Sequence, residues 1–452
     1  MADCKTDERK KAKEEKAKLR SEMKTMFSPR HYVLLMIVCA ILRMRFRARS
    51  KLSPAFREQK RKGAMLVLSN HVSAMDFSYF TTTFLGKKVS FVVAENMMYS
   101  TPIFATMIQG YHAITKKQFF ADYTCIKNIK KYLDHGISVI LCPEGKVSAE
   151  GKTGPMLASI ARLVKWLGYP VASSVICGGG IARPKWAHTG RTGKVVCNMD
   201  IMMTQEEVNS MTPAQIMERI ETSLDHNEHV WQIENKVKFR GKRFAEGLER
   251  LLYRCPDCGE EFSMRTKDDE IFCEKCGFRA RYTHYGKLEK VNGNRCPERI
   301  DLWFDEEKDA VRKQVSEPGF EICKPVCLFL ENANKNGYRF VTAGKLTLDK
   351  DNLTFDADGD YRPKDVDSKY KIGEMDFTSP VEGVETEPVE EEFKHMVFPI
   401  KNFVTIANIP GDSLDLYDEK HTYRMMFSKE KASTKYVLSI EEINDALGRI
   451  KK

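Results

Sequence analysis

The chain has 452 residues, of which 42% are hydrophobic, and a formal net charge of +10. This length exceeds one ordinary domain, and the apolar content is enough to build sizeable cores. The positive charge is uneven, because residues 1–63 hold 19 Lys and Arg against 7 Asp and Glu, which leaves the rest of the chain close to neutral. The asymmetry indicates an anionic partner for the N-terminus, either a membrane surface or nucleic acid.

The N-terminal segment combines charged and apolar stretches. Residues 5–24 are rich in charged helix formers and predict a solvated helix, whereas residues 32–42 form an apolar run with arginines on both sides. A run of this length is too short to cross a bilayer, which needs about 20 residues. Flanking basic residues favour a segment that lies in one leaflet. We therefore predict that residues 1–63 attach the protein monotopically to the anionic cytoplasmic face of a membrane.

Residues 64–235 alternate short β-branched runs with amphipathic stretches, which is typical of an α/β domain. The predicted strands cover residues 64–69, 89–94, 111–115, 137–142, 170–177 and 193–199. The predicted helices cover residues 119–133, 156–166 and 212–226, and Thr212 is the expected N-cap of the last helix.

The first strand of this domain runs into the stretch LSNHVSAMDF, residues 68–77. Ser73 and Asp76 fit a helix capping box, in which Asp76 would only satisfy backbone donors and His71 would be a loop histidine. The same spacing also suits catalysis. A carboxylate in the first helical turn can hold one imidazole nitrogen, which leaves the other nitrogen to act as a general base.

A second motif favours the catalytic interpretation. The strand predicted at 137–142 is followed by Pro143-Glu144-Gly145, so a carboxylate again stands at a strand end. HxxxxD followed by PEG about seventy residues later resembles the phospholipid and glycerol acyltransferase family, over roughly residues 30–235. The stretches Gly110–Lys116 and Leu167–Val171 also resemble motifs of that family.

The resemblance implies transfer of a fatty acyl group from acyl-CoA or acyl carrier protein to the hydroxyl of a lysophospholipid. The expected acceptor is 1-acylglycerol-3-phosphate and the expected product is phosphatidic acid. His71 would then be the general base, and Asp76 would orient it. Lys116 would contact the acceptor's phosphate, while the acceptor site would be lined by Glu144, Gly145 and Lys146.

The chain departs from the family pattern at two places. Lys116 stands where the family has arginine, and Lys146-Val147 follow PEG where the family usually has Thr-Arg. Lysine keeps the positive charge of arginine but lacks the bidentate fork that suits phosphate. The resemblance therefore implies an anionic acceptor and leaves its identity open.

Four of the 13 cysteines form two CxxC pairs, Cys255/Cys258 and Cys273/Cys276, each followed by glycine. Two such knuckles supply four thiolates to one tetrahedral Zn²⁺, and the spacing resembles that of zinc ribbons. Four protein ligands close the site, so the predicted zinc is structural. Since no secretory signal is recognisable, the compartment is expected to be reducing. Further core thiols are predicted at Cys296, Cys323 and Cys327.

The rest of the chain is predicted to contain a helix, a linker and a β-rich domain. Residues 236–250 predict a solvated helix ahead of the ribbon, which is expected to end at residue 285, and residues 286–330 predict a linker. Residues 331–452 predict a β-rich domain with a hairpin around Asp351-Asn352, a mobile acidic loop over 374–393 and a closing helix over 439–447. This pattern resembles, weakly, a pleckstrin-homology-like barrel.

The sequence thus predicts a membrane-associated acyltransferase with an α/β domain, a structural zinc ribbon and a β-rich C-terminal domain. One alternative is a non-catalytic lipid-binding or regulatory protein on the same scaffold, which Lys146-Val147 favour and the intact His71 and Asp76 disfavour. Another is a nucleic-acid-binding protein that uses the ribbon and the basic N-terminal tail. We expect no nucleic-acid partner, because neither the ribbon nor the domain after it is basic.

Overall fold

A computed structural model of the chain describes residues 26–99, 102–118, 122–331, 337–359, 361–363, 386–418, 420–427 and 430–449. The helix predicted over 5–24 and most of the acidic loop predicted over 374–393 lie outside these ranges. Three parts follow one another in the chain: an α/β unit, a small antiparallel ribbon and a C-terminal domain rich in β-strands.

The α/β unit contains seven strands and the ten α-helices given below in the described ranges. The strands are β1 (Ala48–Leu52), β2 (Leu66–Ser69), β3 (Val89–Ala94), β4 (Ile114–Lys116), β5 (Ser138–Leu141), β6 (Val171–Cys177) and β7 (Val195–Met203). The helices are α1 (Pro29–Arg45), α2 (Pro54–Lys62), α3 (Asp76–Thr81), α4 (Pro102–Tyr111), α5 (Tyr123–Asp134), α6 (Ser159–Leu167), α7 (Gly179–Ala182), α8 (Gln205–Ser210), α9 (Pro213–Leu224) and α10 (Glu228–Asn235).

The strands form one sheet in the order β1-β7-β6-β2-β5-β3-β4, and only the β6–β7 pair is antiparallel. Each predicted strand overlaps an observed one. Strand β4 begins three residues later than predicted, because α4 continues through Tyr111, and β7 continues four residues further than predicted. The Thr212 prediction is confirmed, since its hydroxyl accepts the N–H of Gln215 at 3.3 Å in a capping box. Parallel strands are covered on both faces, which explains their continuous apolar runs.

The described part of the N-terminal segment belongs to this packed unit. Strand β1 pairs with β7, and Phe56 of α2 is fully buried. Helix α1 buries Leu35 and Cys39 against the unit and leaves other apolar side chains exposed. Among the described residues, no helix is both long enough and apolar enough to cross a membrane.

Residues 236–250 contain no α-helix, so the predicted solvated helix is wrong. The segment forms a bridge between Arg240 and Thr192 and ends in a 3-10 turn at Leu248–Arg250. Gly247 has a φ of +95°, and a Cβ added there would lie 2.2 Å from a backbone oxygen of Trp186. Phe239 and Phe244 are buried. Tertiary packing of these apolar side chains outweighs the local preference for helix.

The ribbon is a four-stranded antiparallel sheet. Its strands are β8 (Met264–Lys267), β9 (Glu270–Cys273), β10 (Arg279–Tyr282) and β11 (Leu288–Asn292), in the order β11-β10-β9-β8. The sheet therefore continues past residue 285, and helix α11 (Ile300–Ser316) follows where a linker was predicted. Trp303 of α11 is buried, and its Nε1 donates to the carbonyl of Arg254 at 2.9 Å, so this region is packed structure.

The C-terminal domain is β-rich, as predicted. Its strands are β12 (Ile322–Glu331), β13 (Tyr338–Leu348), β14 (Asn352–Ala357), β15 (Tyr361–Pro363), β16 (Thr386–Pro388), β17 (His395–Pro399), β18 (Ala407–Ile409), β19 (Ser413–Tyr417) and β20 (Thr422–Phe427). Seven of them form an antiparallel sheet in the order β17-β14-β13-β12-β20-β19-β18, while β15 pairs with β16. Helix α12 (Ser433–Ala446) packs on this sheet: the Tyr436 hydroxyl donates to the carbonyl of Leu346 at 2.6 Å.

Two predictions in this domain have different outcomes. The hairpin around Asp351-Asn352 is confirmed, because β13 and β14 pair with Leu348 opposite Leu353. The core thiol predicted at Cys323 is wrong, since this side chain is exposed. Cys323 pairs across the sheet with Thr347, whose hydroxyl donates to the cysteine sulfur at 3.4 Å, on a part of the sheet that solvent reaches. The likeness to a pleckstrin-homology domain stays a prediction.

One hydrophobic core passes through all three parts. Val67 of the α/β unit, Tyr282 of the ribbon and Leu346 of the C-terminal domain belong to the same buried cluster. A second cluster covers the other face of the α/β sheet and includes Leu68 and Ile220. The ribbon and the C-terminal domain are therefore packed against the α/β unit and are not tethered by a flexible linker.

Candidate active site

The candidate site lies where β2 and β5 end side by side. These strands are parallel neighbours, so the loops after Ser69 and Leu141 leave the sheet at the same edge, which we call the carboxyl edge. Open α/β sheets bind ligands at this edge. The side chain of Asn70 ties the first loop to β6, because its Nδ2 donates to the carbonyl of Ile176 and its Oδ1 accepts the N–H of Ile176, at 2.9 and 2.8 Å.

His71 and Asp76 form a hydrogen-bonded pair. His71 Nδ1 lies 2.9 Å from Asp76 Oδ2, and the imidazole is 26% exposed whereas the carboxylate is 2% exposed. The same oxygen accepts the N–H groups of Val72 and Ser73 at 2.9 and 3.0 Å. Asp76 thus satisfies two backbone donors of the turn and holds one imidazole nitrogen, but the predicted capping box is not formed, because Ser73 Oγ accepts the N–H of Met75 and the N-cap of α3 is Met75. The catalytic role of the pair stays a prediction.

Burial raises the pKa of Asp76, while the bonds from His71, Ser73 and Val72 lower it. The carboxyl group, held by these three bonds, fixes the orientation of the imidazole. The other ring nitrogen, Nε2, can accept a proton from a ligand. The arrangement suits a general base at a strand end.

Glu144 connects the PEG loop to the His71 loop. Its Oε1 accepts the backbone N–H of His71 and its Oε2 accepts that of Gly154, each at 2.8 Å. Ser148 completes the link, because its N–H donates to the carbonyl of His71 at 2.7 Å. Burial raises the pKa of Glu144 to about 8, against the effect of the two N–H donors. The carboxyl group thus holds the loop in place through the backbone.

The predicted acceptor-site residues lie around this loop. Gly145 has a φ of +72° and its carbonyl accepts a bond from the Gln118 amide. Lys146 Nζ donates to Thr405 Oγ1 at 3.1 Å and to Glu441. Lys116 ends β4 two residues before Gln118, and its Nζ donates to the carbonyl of Lys117 at 3.2 Å.

Several residues at this edge escaped the sequence interpretation. Gln118 links Gly145 to Tyr417, whose hydroxyl donates to Gln118 Oε1 at 3.3 Å. Glu441 pairs with Lys146 across 295 residues of sequence. No spacing pattern signals such contacts, because they depend on how the C-terminal domain docks.

The four cysteines of the two CxxC pairs come together as predicted. Their sulfur atoms all lie within 4.8 Å of one another. Tetrahedral Zn–S bonds of about 2.3 Å place sulfurs about 3.8 Å apart, and the 3.6 Å between Cys255 and Cys276 and 3.8 Å between Cys258 and Cys273 fit that geometry. The glycines after each pair, Gly259 and Gly277, have φ near +77° and donate back to the first cysteine of each pair. This donor set fits a closed zinc site.

The buried Arg191 joins the ribbon to the α/β unit. Its guanidinium lies 5.0, 4.7 and 5.3 Å from the ring centroids of Trp186, Phe244 and Tyr282. It donates to the carbonyls of Ile181 and Phe244. Burial lowers the pKa of Arg191 to about 10. An aromatic cage around a buried cation makes this interface a stabilising element of both parts.

Known families match two parts of the chain. The acyltransferase family model matches residues 51–177. A zinc-ribbon model, described as the 7 kDa subunit of DNA-directed RNA polymerase, matches residues 248–283. No curated protein matches the chain at a significant level.

Two solved structures are similar to parts of the fold. One is the 1-acyl-sn-glycerophosphate (LPA) acyltransferase PlsC from Thermotoga maritima, with 16% identity, 45% of this chain and 79% of that chain covered, and a TM-score of 0.37. The other is the Ran-binding domain of the nuclear complex component Nup2 from Ashbya gossypii, with 13% identity, 28% of this chain and 97% of that chain covered, and a TM-score of 0.16.

The matched residues 51–177 contain both loops that meet at His71. The four-cysteine cluster lies within the matched range 248–283. The chain therefore carries an acyltransferase-family domain, joined to a zinc ribbon and to a β-rich C-terminal domain.

Proposed function

We propose that the protein transfers a fatty acyl group from acyl-CoA or acyl carrier protein to the hydroxyl of 1-acylglycerol-3-phosphate, which yields phosphatidic acid for phospholipid biosynthesis. The observation that carries this proposal is the His71–Asp76 pair, at 2.9 Å, beside the PEG loop at the carboxyl edge. The acyltransferase-family match supports the reaction class.

In the proposed reaction His71 acts as the general base and Asp76 positions it. His71 Nε2 takes the hydroxyl proton as the acceptor oxygen bonds to the thioester carbonyl carbon. The C–S bond then breaks, and the departing sulfur takes that proton from the imidazolium. General base catalysis of this kind typically contributes a factor of about 10²–10⁴ in rate.

The acceptor's phosphate needs cationic partners near this base. We assign Lys116 and Lys146 to that role, and Glu144 and Gly145 to the shape of the acceptor site. Glu144 uses both oxygens on backbone N–H groups, so it acts by holding the loop. Fixing the phosphate would fix the hydroxyl near the carbonyl carbon and reduce the entropic cost of the transition state.

We also propose that helix α1 holds the protein on the anionic cytoplasmic face of a membrane. One side of α1 exposes apolar side chains that are 48–72% accessible: Val33, Leu34, Ile37, Ile41 and Met44. Arginines follow along the chain from Arg43 to Arg49. An exposed apolar stripe with adjacent cations suits insertion at the headgroup boundary. Arg43 Nη1 also donates to the carbonyl of Tyr79 at 2.6 Å, which connects α1 to the helix that begins at Asp76.

The zinc proposed for the ribbon would be held by Cys255, Cys258, Cys273 and Cys276. Four thiolates leave a tetrahedral ion no open position, so its contribution is folding energy. The proposed chemistry at His71 uses this chain's own side chains.

The function is tested by incubating purified protein with radiolabelled acyl-CoA and a panel of lysophospholipids and monoacylglycerol. The expected result is labelled phosphatidic acid from 1-acylglycerol-3-phosphate. Absence of transfer to every acceptor, with either acyl-CoA or acyl carrier protein as donor, would refute the proposal and favour a lipid-binding or regulatory protein.

A further inference from the structure

The C-terminal domain contacts four loops that leave the carboxyl edge. Side chains of the α/β unit bond to partners on β18, β19, the turn after β19 and α12: Asn96 to Asp415, Lys117 to the carbonyl of Asp418, Gln118 to Tyr417, Lys146 to Glu441 and Lys185 to Asn408. The distances between donor and acceptor atoms are 2.7–3.3 Å for the four contacts other than Lys146 to Glu441. This domain therefore packs against the loops that carry the proposed acceptor-site residues.

Lys146 is the contact whose neighbours in the chain bond directly to the proposed base. It lies between Glu144 and Ser148, and both of these residues bond to the backbone of His71. The turn that carries Lys146 is thus anchored at both ends on the backbone of His71. The charge of Lys146 is thus in a position to meet the acceptor's phosphate.

That charge already has a partner. Lys146 Nζ donates to Glu441, and the two side chains are only 20% and 16% exposed. Thr405 Oγ1 lies 2.5 Å from the same Glu441 oxygen and 3.1 Å from Lys146 Nζ, which closes a three-membered polar cluster. Limited exposure reduces solvent screening, so the pair holds more strongly than a fully exposed one.

Glu441 is held firmly in this position. It lies on α12, where Tyr436, Ile440 and Ile443 are buried in the core. The next residue, Glu442, receives a bond from Arg312 Nε of α11 at 2.8 Å. The carboxylate of Glu441 therefore stays near Lys146 unless its side chain rotates or a stronger anion takes its place.

We propose that Glu441 is a specificity-determining residue, which competes with the acceptor's phosphate for Lys146. An anionic acceptor must displace the carboxylate or bind beside it, and both cost free energy. A neutral acceptor meets no such competition. The C-terminal domain thereby sets how strongly the site distinguishes acceptors by charge. This inference rests on the proposed function.

The test compares KM for a lysophosphatidate and for the matching monoacylglycerol at one acyl-CoA concentration. Glu441→Gln keeps the shape of the side chain and removes its charge. We expect KM for lysophosphatidate to fall by roughly threefold to tenfold, and KM for monoacylglycerol to stay the same. The effect should vanish in the Lys146→Gln background, as a double-mutant cycle requires.

Glu442→Gln is the matched control, because it removes the neighbouring charge on α12, and with it the ion pair to Arg312, without touching Lys146. The ratio of KM for lysophosphatidate to KM for monoacylglycerol should be the same in Glu442→Gln as in the wild type. An equal change in both KM values with Glu441→Gln, or a rise in KM for lysophosphatidate, would overturn the inference.

Calorimetric binding of a short-chain lysophosphatidate, below its critical micelle concentration, separates this inference from the proposed function. If the wild type transfers no acyl group, the proposed reaction fails. Tighter lysophosphatidate binding by Glu441→Gln than by wild type would still support competition for Lys146. Equal binding would refute it.

Discussion

Glu144 accepts the backbone N–H of His71 at 2.8 Å, across 73 residues of sequence. This bond joins the two motif-bearing loops at one point of the carboxyl edge. The position of the imidazole therefore depends on the PEG loop as well as on Asp76.

Replacing Glu144 by Gln should weaken both the fold and the activity. One oxygen becomes an NH₂ group that faces a backbone donor, either His71 or Gly154, and a buried donor is left without an acceptor. We expect the free energy of unfolding to fall by about 1–3 kcal/mol. Acyl transfer should fall at least tenfold at a temperature where the variant stays folded, because small displacements of catalytic groups are costly. Urea unfolding and steady-state rates measure the two effects.

His71→Ala should reduce acyl transfer by a factor of about 10² or more, because it removes the base. Thermal stability should change little, because the imidazole is partly exposed and not part of the core. Asp76→Asn should reduce the rate less than His71→Ala does, since the carboxylate orients the imidazole.

A second histidine–aspartate pair provides the matched control for this prediction. His395 Nδ1 lies 2.6 Å from Asp356 Oδ1 on the surface of the C-terminal domain, and His395→Ala should keep the wild-type rate. Retention of more than about a hundredth of the activity by His71→Ala would contradict base catalysis by this residue.

Zinc removal should destabilise the α/β unit as well as the ribbon. From the sequence alone, the α/β domain is expected to keep its own thermal transition. The structure predicts otherwise, because Tyr282 of the ribbon packs on Arg191 and both parts share one core. Chelation or Cys273→Ser should lower the temperature of the main calorimetric transition, and elemental analysis should find about one zinc per chain.

Cys323→Ser is the control for the cysteine substitution, since Cys323 is exposed and lies in the C-terminal domain. It should change neither the zinc content nor the transition. A zinc-free variant with an unchanged transition of the α/β unit would show that the ribbon folds independently.

Ile37→Asp combined with Ile41→Asp should release the protein from anionic vesicles. Both side chains are more than half exposed on α1, so the substitutions should leave the core intact. Deleting residues 1–63 would be a poorer test, because β1 and Phe56 belong to the packed unit. Val291→Asp, on the exposed ribbon strand β11, is the control. Unchanged sedimentation of the double variant with vesicles would place the attachment site elsewhere.

The stability of the protein should rise with pH above neutrality, and Lys185 should be one cause. Burial, followed by the nearby charge of Lys146, lowers the pKa of Lys185 to about 7, although Glu150, Glu441 and Asp415 act in the opposite direction. Between pH 7 and the ordinary lysine pKa, the unfolded chain keeps a proton that the folded protein releases. Stability therefore increases with pH in that window, by at most about 1.4 kcal/mol per pH unit.

Lys185→Met should remove this contribution. Urea unfolding at pH 6, 7, 8 and 9 gives the slope of the free energy of unfolding for wild type and variant. We expect a smaller slope for Lys185→Met above pH 7 and equal slopes below it. Parallel curves across the whole range would show that Lys185 stays protonated in the folded protein.

Features that depend on local order could be predicted from the sequence alone. Alternating apolar runs predicted the strands of the α/β sheet, and the capping residue Thr212 predicted the start of α9. The spacing from His71 to Asp76 spans a loop and one helical turn, and each CxxC pair forms a knuckle of four residues. Such features follow from short stretches of chain, where backbone geometry limits the possible arrangements.

Which residues pack against these stretches depends on tertiary packing and could not be predicted from the sequence. The local composition of residues 236–250 favours helix, yet burial of Phe239 and Phe244 holds the segment in another conformation. Nothing in the sequence around Lys146 indicates that its partner is Glu441, which follows 295 residues later. Contacts between distant segments depend on how separately formed surfaces dock, and the free energy of that docking is shared by many side chains and has no short sequence pattern.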